Sequence, residues 1–170
     1  MCGGEWVPTH GRNHKIGEVI KGMAKPIKVI WVDSWRDIKS CKDKDSTLLG
    51  YADPNKRCVY VIRDVSPEYV VEHEKYHVAK RHPEYPRDYR DYIHLELEAN
   101  KHTYEQYGKP RSVLMKLRGI FNDVYRKYKA TPKQVVAGIE SSLRSVDAPK
   151  PWFSDFKRLR VEVRRAGGRI

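Results

Sequence analysis

The stretch from Ser66 to Arg81 constrains this chain more than any other. Ser66 offers an N-cap, Pro67 suits the first helical position and Glu68 falls in the first turn. A helix is therefore predicted to run to about Arg81, where His-Pro-Glu-Tyr-Pro breaks it. In its middle lies His73-Glu74-Lys75-Tyr76-His77. Side chains four apart on a helix point the same way, so His73 and His77 share one face and Glu74 sits beside them. That is a two-imidazole clamp for a metal ion with a carboxylate next to it.

Neutral imidazoles hold Zn2+ at about 2.0–2.1 Å, and one further protein ligand leaves a fourth position open to water. Such a water has a pKa near about 7, so Glu74 can serve as general base, taking its proton as it attacks a peptide carbonyl and returning it to the leaving amine. The third ligand is expected on the next helix, predicted from about Arg87 to Tyr107. At about 100° per residue, Tyr89, Tyr92, Ile93, Asn100, Thr103, Tyr104 and Tyr107 all fall within about 80° of Glu96, which places Glu96 in an aromatic, core-facing stripe. His94 and Glu98 point the opposite way, among Asp91, Lys101 and Glu105. A carboxylate on an apolar stripe is costly unless paired or metal-bound. Glu96 is thus the expected third ligand, with pairing to a buried Arg or Lys as the bland alternative. Asn100, on the same face, is placed to hydrogen-bond a ligand histidine.

Before this region, Ile27–Val32 is β-branched and aromatic and reads as a strand. Thr47–Tyr51 and Cys58–Ile62 read as an antiparallel hairpin around Asp53-Pro54-Asn55. Residues 1–12 read as an irregular arm, followed by a short helix near His14–Met23. Cys2, His10 and His14 could form a second metal site in that arm, but free surface residues are the simpler reading. After Gly108, a helix over Ser112–Tyr128 carries Leu114, Leu117, Phe121, Val124 and Tyr128 inward, and the next opens on the capping box Thr131-Pro132-Lys133-Gln134 and buries Val135, Ile139, Leu143 and Val146. From Trp152, the residues Phe153, Phe156, Leu159 and Val163 recur at near-helical spacing. The expectation is one α+β domain over 1–170: a small antiparallel three-stranded sheet and the clamp helix within 27–107, further helices over 111–148, and a basic segment over 150–170.

The 170 residues suffice for one core, and no apolar run approaches the roughly 18 residues of a membrane span, so a soluble protein without a membrane partner is expected. The start Met-Cys-Gly-Gly-Glu-Trp lacks a secretory layout, and the three cysteines are odd in number with no CxxC pair, which together point to the cytoplasm and free thiols. The net charge of +12 favours an acidic partner, though a thermophile's ion-paired surface has the same composition. Between Lys150 and Ile170 there are seven Lys or Arg against two acids. Lys157, Arg158, Arg160, Arg164 and Arg165 either grip nucleic-acid phosphates without base specificity or form the solvated face of a terminal helix.

The residues His73-Glu74-Lys75-Tyr76-His77 followed by Glu96-Leu97-Glu98-Ala99-Asn100 resemble the gluzincin metallopeptidases, most of all their compact ImmA/IrrE-type members. The resemblance covers about Ile27 to Tyr107. It implies zinc held by His73, His77 and Glu96, a supporting role for Asn100, and protein or peptide substrates that add to the edge of a sheet containing a Gly-Tyr hairpin, as in Leu49-Gly50-Tyr51. Lys75 departs from the family pattern, which keeps that position uncharged; on the wheel it lies opposite His77 and can reach solvent. No residue matches the family's transition-state-stabilising group. Two rivals stand beside this reading: a SprT-like DNA-directed protease, whose third ligand is a histidine and would here be His94, and a basic nucleic-acid-binding protein with a non-catalytic site.

Overall fold

The computed structural model describes residues 26–38, 49–63, 68–83, 86–107 and 112–169. The expected arm, the helix near His14–Met23 and the Ser66-Pro67 helix start lie outside the described residues, as do Cys2, His10 and His14. The α+β architecture is as expected. Three strands, β1 (Lys28–Val32), β2 (Gly50–Asp53) and β3 (Cys58–Ile62), precede five helices: α1 (Glu68–Lys80), α2 (Tyr89–Gln106), α3 (Leu114–Tyr128), α4 (Pro132–Ser145) and α5 (Lys150–Arg165).

The sheet corrects one expectation. Its order is β1-β3-β2. The hairpin pairs antiparallel, from Gly50 opposite Val61 to Asp53 opposite Cys58. But β1 runs parallel to β3, Lys28 opposite Cys58 through Val32 opposite Ile62, so the sheet is mixed rather than antiparallel. The strands alternate in direction along the chain, and inserting β3 between the other two makes one neighbour antiparallel and the other parallel. β3 takes the centre because it is the most apolar strand, with Val59 and Val61 fully buried.

Gly50 and Ala52 share a sheet face with Val61 and Val59, and α1 packs on that face through Val70 and Val78. Its end is a Schellman motif: Arg81 adopts φ 55°, the Arg81 N–H donates to the Val78 carbonyl at 3.2 Å and the His82 N–H to the His77 carbonyl at 3.0 Å. The chain thereby turns back over the last turn of α1. The Asp88 carboxylate accepts from the Arg90 N–H at 2.7 Å and starts α2 at Tyr89 rather than at Arg87.

A second core joins α2 to α3, α4 and α5. Ile93 and Leu97 of α2 meet Leu114, Leu117, Ile120 and Val124 of α3, and Val135, Ile139 and Leu143 of α4. The Thr131–Gln134 capping box is present. On α5 the buried stripe is Trp152, Phe156, Leu159 and Val163. Phe153 beside Trp152 is only half-buried; on α3, Ile120 is buried while Phe121 and Tyr128, expected to point inward, lie at the margin. One helix, α2, thus carries the apolar bundle on one side and faces α1 on the other.

Candidate metal centre

One turn apart on α1, the His73 and His77 rings lie 4.8 Å apart at 65°, with their Nε2 atoms 3.1 Å from each other. Helix α2 crosses α1 and delivers Glu96 between them: its Oε2 is 3.3 Å from His73 Nε2 and its Oε1 3.5 Å from His77 Nε2. The three side chains are 7%, 11% and 24% exposed, so the donors are nearly dry and open on the carboxylate side. Zinc bonds of about 2.0–2.1 Å place the corners of a tetrahedron about 3.3–3.4 Å apart. The observed separations bracket that value, and two imidazoles with one carboxylate are a donor set that suits zinc with one position left over. Among the described residues, this trio forms the group able to hold a metal ion.

Electrostatics keep His77 and Glu96 in ligand form. Burial pushes the His77 imidazole down to about 3, so it stays neutral at ordinary pH. Burial alone would raise the Glu96 carboxyl, but a hydrogen bond with the His73 ring and the positive charge of Lys116 from α3 favour its charge, and the carboxyl is held down at about 2.

Glu74 faces the sheet. Burial, reinforced by the charge of Glu96, raises its carboxyl to about 7, while His73, Lys116 and a hydrogen bond from the Ala52 N–H pull the other way. In the hairpin the Ile62 N–H donates to the Leu49 carbonyl, so with the observed register the polar backbone groups of Gly50 and Ala52 face the outer edge of β2. Gly50 is what lets Glu74 lie against this strand. A β-carbon there would come within 2.7 Å of both Glu74 Cγ and Val70 Cγ1. Gly50→Val should therefore destabilise the protein by about 1–3 kcal/mol, lowering the melting temperature by several degrees, and displace Glu74; an unchanged melting curve would show that α1 does not sit this close to β2.

Several expectations are revised. Asn100 is buried, but its amide donates to the Glu96 carbonyl at 2.7 Å and braces the α2 backbone instead of a histidine. Among the described residues, His73 Nδ1 has no hydrogen-bond partner. Glu98 does not lie idle on a solvated face: its carboxylate accepts from the Tyr76 hydroxyl at 3.0 Å and lies 3.6 Å from His82 Nε2. His82, in turn, places its Nδ1 2.9 Å from His77 Nδ1. Neither His94 nor Glu98 joins the donor group. Lys75 bonds Glu72 at 2.7 Å and is 24% exposed, in keeping with its expected route to solvent. The sequence did contain a signal for His82, its position in a helix-breaking His-Pro, but the helical wheel stops where the helix does.

The basic residues of α5 spread over the side away from Trp152. Lys157, Arg158, Arg164 and Arg165 are exposed, Arg158 lies 3.8 Å from Asp155, and Arg160 lies over the Phe156 ring at 5.9 Å. Arg160 itself is half-buried, and α5 packs against α3 and α4. No described helix is long and apolar enough to cross a membrane.

Comparison of the chain with protein-family models, with curated proteins and with solved structures finds no match.

Proposed function

We propose that this protein is a zinc-dependent metallopeptidase of the gluzincin kind, with His73, His77 and Glu96 as the zinc ligands and Glu74 as the general base. The observation that carries this reading is the convergence of the three donors at 3.1–3.5 Å with Glu74 one residue from the first of them. Bound zinc would supply a Lewis acid that makes water nucleophilic near neutral pH and polarises a scissile carbonyl. Glu74 then accepts a proton from the attacking water and passes it to the departing amine. A carboxyl titrating near about 7 suits both halves of that task. Glu96 keeps its charge and, braced through its own carbonyl by Asn100, holds the ligand side of the site rigid.

The substrate follows from the strand beside the base. β2 is an edge of the sheet, paired to β3 alone among the described residues. An extended peptide laid along its outer groups would bring a backbone carbonyl past Glu74. Protein segments in extended form are thus the proposed substrates. The direct test incubates protein carrying one equivalent of zinc with an unfolded protein substrate and identifies new amino termini by mass spectrometry. Cleavage that stops on chelation and returns with zinc is the expected result. Cleavage by the zinc-loaded chain no greater than by Glu74→Gln would contradict the reading.

A further inference from the structure

We propose that His82 is a positioning residue for the metal centre: it fixes the tautomer and ring plane of His77, and Glu98 fixes His82 in turn. This rests on the reading of His73, His77 and Glu96 as zinc ligands.

The chain end of α1 makes the contact. The Schellman bond from the His82 N–H to the His77 carbonyl folds residue 82 back one turn, and the two rings meet with centroids 5.0 Å apart and planes at 74°. Their Nδ1 atoms are 2.9 Å apart, a hydrogen-bond distance at which one nitrogen must carry the proton and the other must not. The ligand geometry decides which. His77 Nε2 faces His73 Nε2 and Glu96 Oε1, so Nε2 is the atom that would offer its lone pair to a metal. A neutral imidazole with Nε2 free carries its proton on Nδ1. His77 Nδ1–H therefore donates to His82 Nδ1. The His82 proton then resides on Nε2, and that nitrogen faces Glu98 Oε2 at 3.6 Å. Glu98 Oε1 accepts from the Tyr76 hydroxyl at 3.0 Å, which holds the carboxylate in place from within the same helix as His77. The His82 ring also packs edge-on against Tyr76, 5.7 Å away at 74°. At 8% exposure His82 has little room to turn away.

The reverse direction, His82 donating to His77, would place the His77 proton on Nε2, where it blocks the metal. Metal binding and the His77-to-His82 hydrogen bond thus select the same tautomer. The two ligand histidines differ in this respect, because His73 Nδ1 is buried with no partner among the described residues. The two carboxylates of Glu96-Leu97-Glu98 also receive distinct tasks: Glu96 meets the imidazoles directly, and Glu98 stands behind His82 as its negative partner, 3.6 Å from Nε2.

The test measures zinc affinity by competition with a chromophoric chelator, alongside the melting temperature of the metal-free proteins. His82→Phe keeps a ring against Tyr76 but removes the acceptor, and should weaken zinc binding roughly 10- to 100-fold. His82→Asn sets a side-chain oxygen where Nδ1 stood and should restore affinity to within a few-fold of wild type. A purely structural role would give both variants the same affinity, in step with their melting temperatures. Should His82→Phe fail to fold, Glu98→Ala, at a side chain 35% exposed, takes its place and should weaken zinc several-fold. Wild-type affinity in His82→Phe, or in Glu98→Ala where His82→Phe does not fold, or His82→Asn binding as weakly as His82→Phe, overturns the assignment and leaves the zinc site standing. A wild type that takes up no zinc overturns both.

Discussion

Glu74→Gln is expected to lower kcat for peptide hydrolysis by roughly 10²- to 10⁴-fold while retaining one equivalent of zinc. The glutamine keeps the shape of the side chain and its place against Gly50 but cannot accept a proton. Because Glu74 lies outside the trio of converging donors, the metal content should not change. The same variant carries a second expectation, for the metal-free protein. In the fold the Glu74 carboxyl titrates near about 7, against 4.5 ordinarily, because burial disfavours its charge. For an acid shifted upward, the folded state holds its proton more tightly than the unfolded one. The stability linked to that proton is complete below about 4.5 and is lost as pH rises through 7. Glu74→Gln has no such loss. Urea titrations should show it more stable than wild type at pH 8, by up to a few kcal/mol, and matching wild type at pH 4. Equal hydrolysis by both proteins would remove Glu74 from the chemistry. Equal stability at pH 8 would show that its carboxyl is solvated.

The second large effect concerns the ligands. Glu96→Ala leaves two imidazoles 3.1 Å apart and no anionic donor, and zinc content measured by mass spectrometry should fall from one equivalent to background, with hydrolysis lost in parallel. His94→Ala should keep one equivalent. This pair separates the gluzincin-like assignment from the rival in which a histidine of α2 completes the site. Zinc retained by Glu96→Ala and lost from His94→Ala would favour that rival.

Local chemistry in the sequence foretold those parts of the molecule that local chemistry controls. Asp53-Pro54-Asn55 marked the hairpin, Thr131 and Gln134 the start of α4, and the i, i+4 spacing the paired histidines. Even the third member of the donor cluster was legible, since the angle of Glu96 on its helix set a carboxylate among aromatic residues that had to face inward. What failed depended on placement across elements. Strand order is not written into any one strand, so β1 beside β3 came out parallel where an antiparallel neighbour was expected. A wheel gives the direction of a β-carbon but not the reach of a side chain, so Glu98 was assigned to solvent although its carboxylate bridges to Tyr76 and His82. Asn100 was on the expected face, yet the carbonyl of Glu96, four residues back along its own helix, is nearer at hand than a ring on α1. His82 lies beyond the last turn of α1, where helical periodicity has no meaning and only the left-handed Arg81 explains its return.

Crystals of the zinc-loaded protein, measured on both sides of the zinc absorption edge, address the central claim most directly. The expected result is one anomalous peak within about 2.0–2.2 Å of His73 Nε2, His77 Nε2 and a Glu96 carboxylate oxygen, with no fourth protein ligand. A peak ligated by His94 or Glu98 in place of Glu96, or no peak between α1 and α2, would contradict it.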